Sequence, residues 1–258
     1  MSKTNSNMDA ITKPLATLGR SVLFFGQILA AIRPDLKLLR ATLAQVYFIG
    51  ARSLVIIMIC GFFVGMVLTL QSYVELSKFG ATDSVGTVLA LSLFRELGPV
   101  LTALLFSGRA GTSIAAEIGL MKATEQLSAM ELMAIDPVKR VVVPRFIAGV
   151  ISLPLLSMLF TLLALAGGAT YAINIMGIDS GIFWGNMVSS VEFQSDFMMS
   201  FWKSLAFGII ASFIAVFSGY FTTPTGDGIG RATTQTVVVS AVVVLIVDFL
   251  ITVLMTWT

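Results

Sequence analysis

The sequence has no histidine and only one cysteine, Cys60, and both scarcities narrow its chemistry. Without histidine, the chain cannot build a Ser-His or Cys-His nucleophile pair or a histidine-bound metal centre. A single cysteine cannot form a disulfide within the chain. The phosphate-binding pattern GxxxxGK[ST] is also missing, so nucleotide hydrolysis of that kind would have to come from another chain. We therefore expect no catalytic residue and no metal-binding residue in this chain.

Charged residues are the second scarcity. Asp, Glu, Lys and Arg make up 12% of the 258 residues, whereas hydrophobic residues make up 57% and the mean hydropathy is +0.95. A soluble domain carries about 25% charged residues, so this composition predicts an integral membrane protein. The net charge is only +2, which gives no reason to expect a nucleic-acid partner.

Apolar runs of membrane-spanning length recur along the chain. A bilayer core about 30 Å thick is crossed by about 20 apolar helical residues. Runs of that length or longer lie at 53–74, 85–108, 146–178, 204–226 and 232–258. The third contains Pro154 and the pair Gly167-Gly168, which favour a kink or a break, and Gly226 to Gly230 favour a turn before the last run. The sequence predicts an all-α integral membrane fold, with five transmembrane helices in residues 53–258.

Lys and Arg residues are concentrated on one side of these five segments. Seven precede the first segment, five lie between the second and third, and one lies between the fourth and fifth. Only Lys78 and Lys203 fall on the other side. Because basic residues are enriched in cytoplasmic loops, this bias predicts a cytoplasmic N-terminus and an external C-terminus. Trp257 would then anchor the last helix at the outer interface.

Residues 1–52 contain no run long enough to cross a membrane. Two sets of apolar residues recur there at spacings of three and four: Leu15, Leu18, Val22, Phe25, Leu29 and Ile32, then Leu36, Leu39, Leu43 and Val46. They predict two amphipathic helices in the cytoplasmic interface, separated at Pro34. A cleaved signal peptide is the competing interpretation. Cleavage near Ala31 would leave several basic residues outside, which the charge bias disfavours.

Four charged residues lie within or beside the predicted spans. At 1.5 Å per residue, Arg95 and Glu96 lie about 15 Å inside the second span, and Asp248 lies about 13 Å from the end of the fifth. Lys203 comes just before the fourth. Such groups cost several kcal/mol in hydrocarbon unless they face protein or water. They could line a cavity for a charged, amphipathic substrate. Alternatively, Arg95, Glu96 and Asp248 could pair with one another or with backbone and fix helix packing. For Lys203, snorkelling to lipid headgroups is a further interpretation.

The longest connection between spans covers residues 109–145. It is rich in helix formers from Ala115 to Ile135, and Asp136-Pro137 favours the end of that helix. Its apolar edge comprises Leu127, Met130, Met133 and Ala134, with Glu125 and Glu131 offset from it. Such a helix could transmit movement from a soluble motor protein, or it could lie on the bilayer surface.

Gly61 and Gly65 form a GxxxG pattern in the first span. Without side chains at these positions, another helix can approach the backbone closely. The pattern itself leaves open whether the partner helix belongs to the same chain or to another subunit.

Several segments together resemble the MlaE permease family. They are LSLFRELGPV at 91–100, SGRAG at 107–111, AEIGLMKATEQL at 116–127, MAIDP at 133–137 and GIGRATTQTV at 228–237. The resemblance runs in order from about residue 40 to residue 257. It implies the membrane subunit of a phospholipid-transporting ABC system in the inner membrane of a bacterium with two membranes. Lipid would move between that membrane and periplasmic carriers that maintain outer-membrane asymmetry.

The same resemblance implies an assembly. The permease would be a homodimer bound to a cytoplasmic ATPase, a small STAS-domain subunit and a periplasmic ring of MCE-domain subunits. ATP and magnesium would bind the ATPase, so no cofactor is expected in this chain. The N-terminal part, residues 1–52, would lie in the cytoplasm, and the C-terminus would be periplasmic.

Together with this resemblance, the charged residues become a hypothesis about sites. Two copies of Arg95, Glu96, Lys203 and Asp248 would surround a central cavity for the lipid, bordered by Gln71 and Tyr73. The ATPase would act through Glu125, Leu127, Met130, Glu131, Met133, Asp136 and Pro137. The alternative function is an ion- or proton-coupled carrier of an amphipathic solute, although five spans divide poorly into an inverted repeat. A protein scaffold is a third possibility, but it would not need intramembrane charges.

Overall fold

The computed structural model describes residues 2–32 and 35–256, and the side chains within 16–32, 35–192 and 194–255. This part of the chain is helical and contains no strand. Five of its helices are long and apolar enough to cross a membrane: span 1 (Leu36–Ser77), span 2 (Thr82–Ala123), span 3 (Val138–Asn174), span 4 (Gln194–Tyr220) and span 5 (Gly226–Met255). The prediction of an all-α, five-span protein is confirmed. Trp257 lies outside the described residues.

Span 1 begins earlier than the sequence indicated. The side chain of Asp35 accepts the backbone N–H of Lys37, and from there the helix runs without a break to Ser77. A wider, π-helical turn at Tyr47–Ala51 joins its two parts. The Leu36–Val46 helix, predicted as a second interfacial helix, is present and continues directly into the rest of span 1. At 1.5 Å per residue the 42 residues measure about 63 Å, about twice the hydrocarbon thickness.

The N-terminal helix (Ser2–Ala31) packs against the helical bundle through a few aromatic and aliphatic side chains. Phe24 and Ile28 are fully buried. The ring of Phe24 stacks on Tyr220 with centroids 5.1 Å apart and meets Phe217 and Phe221 edge-on. Burial of a phenylalanine contributes about 1.5–3 kcal/mol, so these contacts hold the helix against the end of span 4.

Span 3 is the central helix of the bundle. Within it, Val143–Asn174 forms one helix that contains Pro154 and continues through Gly167 and Gly168, so the predicted break is absent. A Cβ on Gly65 of span 1 would overlap the Ala164 backbone, and one on Gly167 would overlap that of Phe62. The GxxxG pattern therefore serves helix packing within this chain.

The second half of the chain departs from the predicted boundaries. Span 4 ends at Tyr220 and span 5 begins at Gly226, so the turn lies between them and the Gly226–Gly230 segment is helical. A further helix, Ser180–Ser190, was not predicted. The Asp179 carboxylate caps its first turn, and its Phe183 is buried against span 2, where a Cβ on Gly86 would touch the Phe183 carbonyl oxygen.

The connection between spans 2 and 3 is shorter than predicted, because span 2 continues to Ala123. Glu125 and Ala134 adopt left-handed backbone conformations, with φ of 58° and 60°, and they bracket a short helix at Gln126–Leu132. The predicted helix from Ala115 to Ile135 is thus two helices separated by a sharp turn. Asp136 does not end a helix but starts one, since its carboxylate accepts the N–H of Val138 at the beginning of span 3.

Candidate substrate site in the membrane

Lys203 is the centre of a charged cluster that joins spans 2, 4 and 5. Its side chain is completely buried, because span 4 begins at Gln194 and Lys203 lies well inside it. Lys203 Nζ donates to Glu96 Oε2 at 2.9 Å and to Asp248 Oδ1 at 2.9 Å. It also donates to Thr252 Oγ1 at 2.7 Å and to the backbone oxygen of Arg95 at 2.8 Å. Lys203 therefore points into the bundle and does not snorkel to lipid headgroups.

Pro99 accounts for the availability of the Arg95 carbonyl. In an α-helix that oxygen would accept the N–H of the residue four positions later, but proline has no N–H. The helix also widens into a π-helical turn at Leu93–Leu97. The ammonium of Lys203 binds the carbonyl oxygen that the proline leaves without its usual α-helical donor.

Arg95 faces a different partner from its neighbour Glu96, as expected for adjacent residues about 100° apart around a helix. Arg95 Nε donates to Asp196 Oδ1 at 2.7 Å. The Asp196 carboxylate is only 2% exposed, and its other oxygen accepts the N–H of Glu192. This ion pair fixes the beginning of span 4 against span 2. The three residues predicted to pair with one another or with backbone have other ion-pair partners: Asp196 for Arg95, and Lys203 for both Glu96 and Asp248.

The whole cluster holds two cations and three carboxylates, so it carries one formal negative charge. Two of its groups remain accessible: the Arg95 side chain is 50% exposed and that of Glu96 is 38% exposed. The buried groups Lys203 and Asp196 hold these two in place. Because buried donors and acceptors fix the geometry of their neighbours, Arg95 and Glu96 are presented in a defined arrangement.

A cavity of about 640 Å³ opens beside this cluster. Arg95, Glu96, Asp196 and Thr252 form its charged and polar side. Its apolar lining is supplied by Met198, Met199, Trp202 and Met255. Methionine side chains adapt to irregular apolar ligands, and a few fixed polar groups give such a cavity orientation. This lining suits a molecule with an ionic head and a hydrocarbon tail.

The structure brings some of the predicted site residues together and leaves others apart. Arg95, Glu96, Lys203 and Asp248 form one cluster, whereas Gln71 is exposed on span 1 and Tyr73 is partly buried against the core, and neither lines this cavity. Sequence reasoning missed Asp196 and Thr252. Thr252 follows Asp248 by four residues, one turn along the same helix face, which is a signal that could have identified it.

The predicted ATPase-contacting residues lie on and beside the Gln126–Leu132 helix. Leu127 and Pro137 are buried, Met130 is partly buried, and Glu125, Glu131 and Asp136 are exposed. The most exposed large apolar side chains there are Leu132, at 91%, and Met133, at 63%, and Ile135 is 42% exposed. The apolar edge predicted from the sequence is therefore divided: Leu127 and Met130 pack inward, and Met133 faces outward with Leu132.

Within the described part of the chain, no three Asp, Glu or Cys side chains are grouped as a metal site would require. The carboxylates of the cluster instead bind the ammonium of Lys203 and the guanidinium of Arg95. The arrangement can bind and orient an ionic ligand.

Comparison with known proteins decides the family. A family model described as "Permease MlaE" matches residues 42–254. This chain belongs to the MlaE permease family. The match leaves out the first six residues of span 1 and the last residue of span 5. It therefore includes every residue of the charged cluster. The chain is a multi-pass membrane protein of a transport family, and not of an enzyme family.

Individual relatives of this MlaE-family chain agree. It is 49% identical over 241 residues to the "Intermembrane phospholipid transport system permease protein MlaE" of Haemophilus influenzae, covering 92% of this chain and 91% of that one. It is 41% identical over 216 residues to a "Probable ABC transporter permease protein" of Synechocystis sp., covering 84% and 82%. It is also 34% identical over 226 residues to the chloroplastic protein TRIGALACTOSYLDIACYLGLYCEROL 1 of Arabidopsis thaliana, covering 88% and 64%.

Proposed function

We propose that this chain is the permease subunit of an ABC transporter that moves phospholipids between the bacterial inner membrane and periplasmic carriers, and so maintains outer-membrane lipid asymmetry. The observation that carries the proposal is the cavity beside Lys203, which combines fixed ionic groups with methionine and tryptophan walls. The phospholipid transport named for the Haemophilus influenzae relative supports it. The relatives named as ABC permeases favour this function over an ion-coupled carrier.

In this proposal different residues of the cavity contact different parts of the lipid. The guanidinium of Arg95 is half-exposed and can donate to a phosphate oxygen, a charge-assisted bond that is stronger than a neutral one. The Glu96 carboxylate lies next to it and can accept from a headgroup amine. Met198, Met199, Trp202 and Met255 contact the acyl chains. Lys203 and Asp248 hold Glu96 in place.

The proposed assembly is a homodimer, in which Gln71 and Tyr73 of both copies border a shared central opening. The bundle is bound by a cytoplasmic ATPase that holds ATP and magnesium, a STAS-domain subunit and a periplasmic MCE-domain ring. The N-terminus lies in the cytoplasm and the C-terminus in the periplasm in this proposal, which the Lys and Arg bias supports.

The proposed route from the ATPase to the lipid runs through the connection between spans 2 and 3. The ATPase contacts Leu132 and Met133, with Glu125, Glu131 and Asp136 around them, while Leu127, Met130 and Pro137 transmit the movement to the bundle. Span 2 continues directly from this connection to Arg95 and Glu96, so a tilt of the helix moves the cluster. ATP-driven closure of the dimer then expels the lipid.

Reconstitution into liposomes with the co-purified ATPase tests the proposal. Wild type should move fluorescent phospholipid only when ATP is present, and E96A and D248A should lose most of that transport and most photo-crosslinking of lipid to the cavity. E75A is the matched control, since Glu75 is an exposed acid paired with Lys78 away from the cluster. Transport by E96A and D248A at the wild-type rate would remove the cavity assignment. Transport driven by an ion gradient without ATP would replace the proposal by the secondary carrier.

A further inference from the structure

A second amphipathic site lies where spans 1 and 3 begin, away from the charged cluster. A cavity of about 270 Å³ is lined there by three cations: Lys37 from the start of span 1, and Lys139 and Arg140 from the start of span 3. An apolar groove of about 420 Å³ adjoins it and shares Asp35 and Leu38 with it. The walls of that groove are side chains of spans 1 and 3, chiefly Leu36, Leu39, Ile147 and Ile151.

The three cations have no ion-pair partner within 4.0 Å among the side chains that the structure describes. Two acids, Asp35 and Asp136, also line the cavity, and both are engaged by backbone. Asp35 accepts the N–H of Lys37, and Asp136 accepts that of Val138, so each carboxylate complements the positive end of a span. The cavity lining therefore carries three cations and two acids, which is a formal excess of one positive charge.

The groove next to these cations cannot be explained by packing within the chain. Leu36 is 66% exposed and Leu39 is 56% exposed, although both lie on the face that span 1 turns towards span 3. An apolar groove at the start of two membrane-spanning helices is chemically suited to lipid acyl chains. Basic pockets between transmembrane helices on the cytoplasmic side bind anionic headgroups. The basic cavity thus suits an anionic headgroup, and the adjoining apolar groove suits the acyl chains of the same lipid.

We propose that this groove binds an anionic glycerophospholipid of the cytoplasmic leaflet, with its phosphate among Lys37, Lys139 and Arg140 and its acyl chains against Leu39 and Ile151. The assignment to that leaflet rests on the orientation proposed above. The lipid is a resident ligand, separate from the lipid transported through the cavity beside Lys203. It clamps the start of span 1 to the start of span 3, directly next to the connection that we assign to the ATPase.

Binding can be measured with the purified full-length chain in nanodiscs of phosphatidylcholine containing a minor fraction of phosphatidylglycerol. The variant K37Q/R140Q removes one cation from each span. The matched control K78Q/R231Q removes two exposed cations elsewhere, each paired only with an acid on its own helix. Each cation near a membrane surface strengthens anionic-lipid binding about fivefold. The affinity of K37Q/R140Q for phosphatidylglycerol should therefore fall about 10- to 30-fold. Native mass spectrometry measures this as the number of phosphatidylglycerol molecules that remain bound to the chain. The control should bind as wild type does.

Two further measurements distinguish this lipid from other occupants. E96A should leave crosslinking of lipid to a photo-reactive residue at position 39 unchanged, because Glu96 lines the other cavity. A photo-reactive residue in place of Leu39 should crosslink to lipid, in the assembled transporter as well as in the isolated chain. An equal loss in K37Q/R140Q and K78Q/R231Q would show attraction by overall charge and overturn the site. Crosslinking of position 39 to the ATPase or to a second copy of the permease would overturn it in favour of a protein contact.

Discussion

At the scale of single residues, Lys203 joins three spans through one ammonium group. A cation buried in a membrane bundle is stable only while its carboxylates stay paired with it, and the carboxylates depend on it equally. Asp248 depends on Lys203 more than Glu96 does, because the Asp248 side chain is only 16% exposed, whereas Glu96 is partly accessible to solvent. The cluster is a structural joint and, through Arg95 and Glu96, also a surface of the cavity.

Replacement of Lys203 should therefore destabilise the bundle. We expect K203M to lower the free energy of unfolding by about 3 kcal/mol, because two carboxylates lose their cation. K203M/E96Q/D248N should recover much of that loss, since no buried charge remains unpaired. K78M is the control and should change stability by about 0.5 kcal/mol or less, because Lys78 is exposed. Thermal unfolding in detergent measures all three, and a K203M variant as stable as wild type would contradict the role of the cluster.

The sequence could identify Arg95, Glu96 and Asp248 because any charge inside an apolar run is conspicuous. It could not identify Asp196, which stands among Glu192, Gln194 and Ser195 and so is typical of an exposed loop. Asp196 is buried because span 4 starts at Gln194 and because Arg95 of span 2 approaches it. Both features depend on the folded structure and not on the local sequence. Lys203 was ambiguous for the same reason. If span 4 began at residue 204, the lysine would lie at its end and could snorkel, but the helix begins ten residues earlier and buries it.

At the scale of elements, close contact between spans 1 and 3 depends on glycine. A Cβ at Gly65 would overlap the backbone of Ala164, and one at Gly61 would approach the Phe160 carbonyl oxygen at 2.8 Å. Neither contact can be relieved by a side-chain rotation, because the opposing atoms belong to the backbone. The two helices must separate if either glycine gains a side chain.

We expect G65A to destabilise the bundle by about 1–3 kcal/mol, which is the usual cost of overpacking. The matched control is G108A in span 2, where a Cβ would have no neighbour within 4 Å. There the higher helix propensity of alanine should leave stability unchanged or raise it by up to about 1 kcal/mol. Melting temperatures of the two purified variants in one detergent compare them directly. If G65A melted at or above the temperature of G108A, the close packing of these spans would be refuted.

The short Gln126–Leu132 helix carries an exposed apolar end, and the ATPase contact is expected there. L132E/M133E should weaken co-purification of the ATPase at least about tenfold, since an apolar contact would become charged, while thermal stability stays near that of wild type because both side chains are exposed. L127E should instead reduce stability, because Leu127 is buried. Retention of the ATPase by L132E/M133E would exclude this helix as the coupling contact.

Element types were predictable to a different degree from element boundaries. Four of the five spans follow from hydrophobicity alone, because a lipid environment requires long apolar helices. The second span was also predicted, although Arg95 and Glu96 interrupt its apolar run. Their ends do not, since helices continue beyond the bilayer: span 2 runs to Ala123 and span 1 starts at Leu36. The Ser180–Ser190 helix was missed because its two buried side chains, Phe183 and Met187, are too few to give a clear apolar pattern.

At the scale of the whole molecule, an odd number of spans places the two ends of the bundle on opposite sides of the membrane. The proposed sites depend on the orientation of the bundle in the membrane. The lipid cavity must open towards the periplasmic ring, and the Gln126–Leu132 helix must face the ATPase. The distribution of basic residues predicts this orientation. Labelling of single positions with reagents that do not cross membranes tests it.

The single cysteine makes that measurement practical. In a C60A background, K78C and R231C place one thiol at each end of the bundle, at side chains that are 58% and 76% exposed. An impermeant maleimide applied to intact spheroplasts should label K78C, between spans 1 and 2, and should label R231C only after permeabilisation. The two positions are each other's control, since both thiols must react in detergent. Labelling of R231C in intact spheroplasts, with K78C protected, would invert the topology and with it the assignment of the basic groove to the cytoplasmic leaflet.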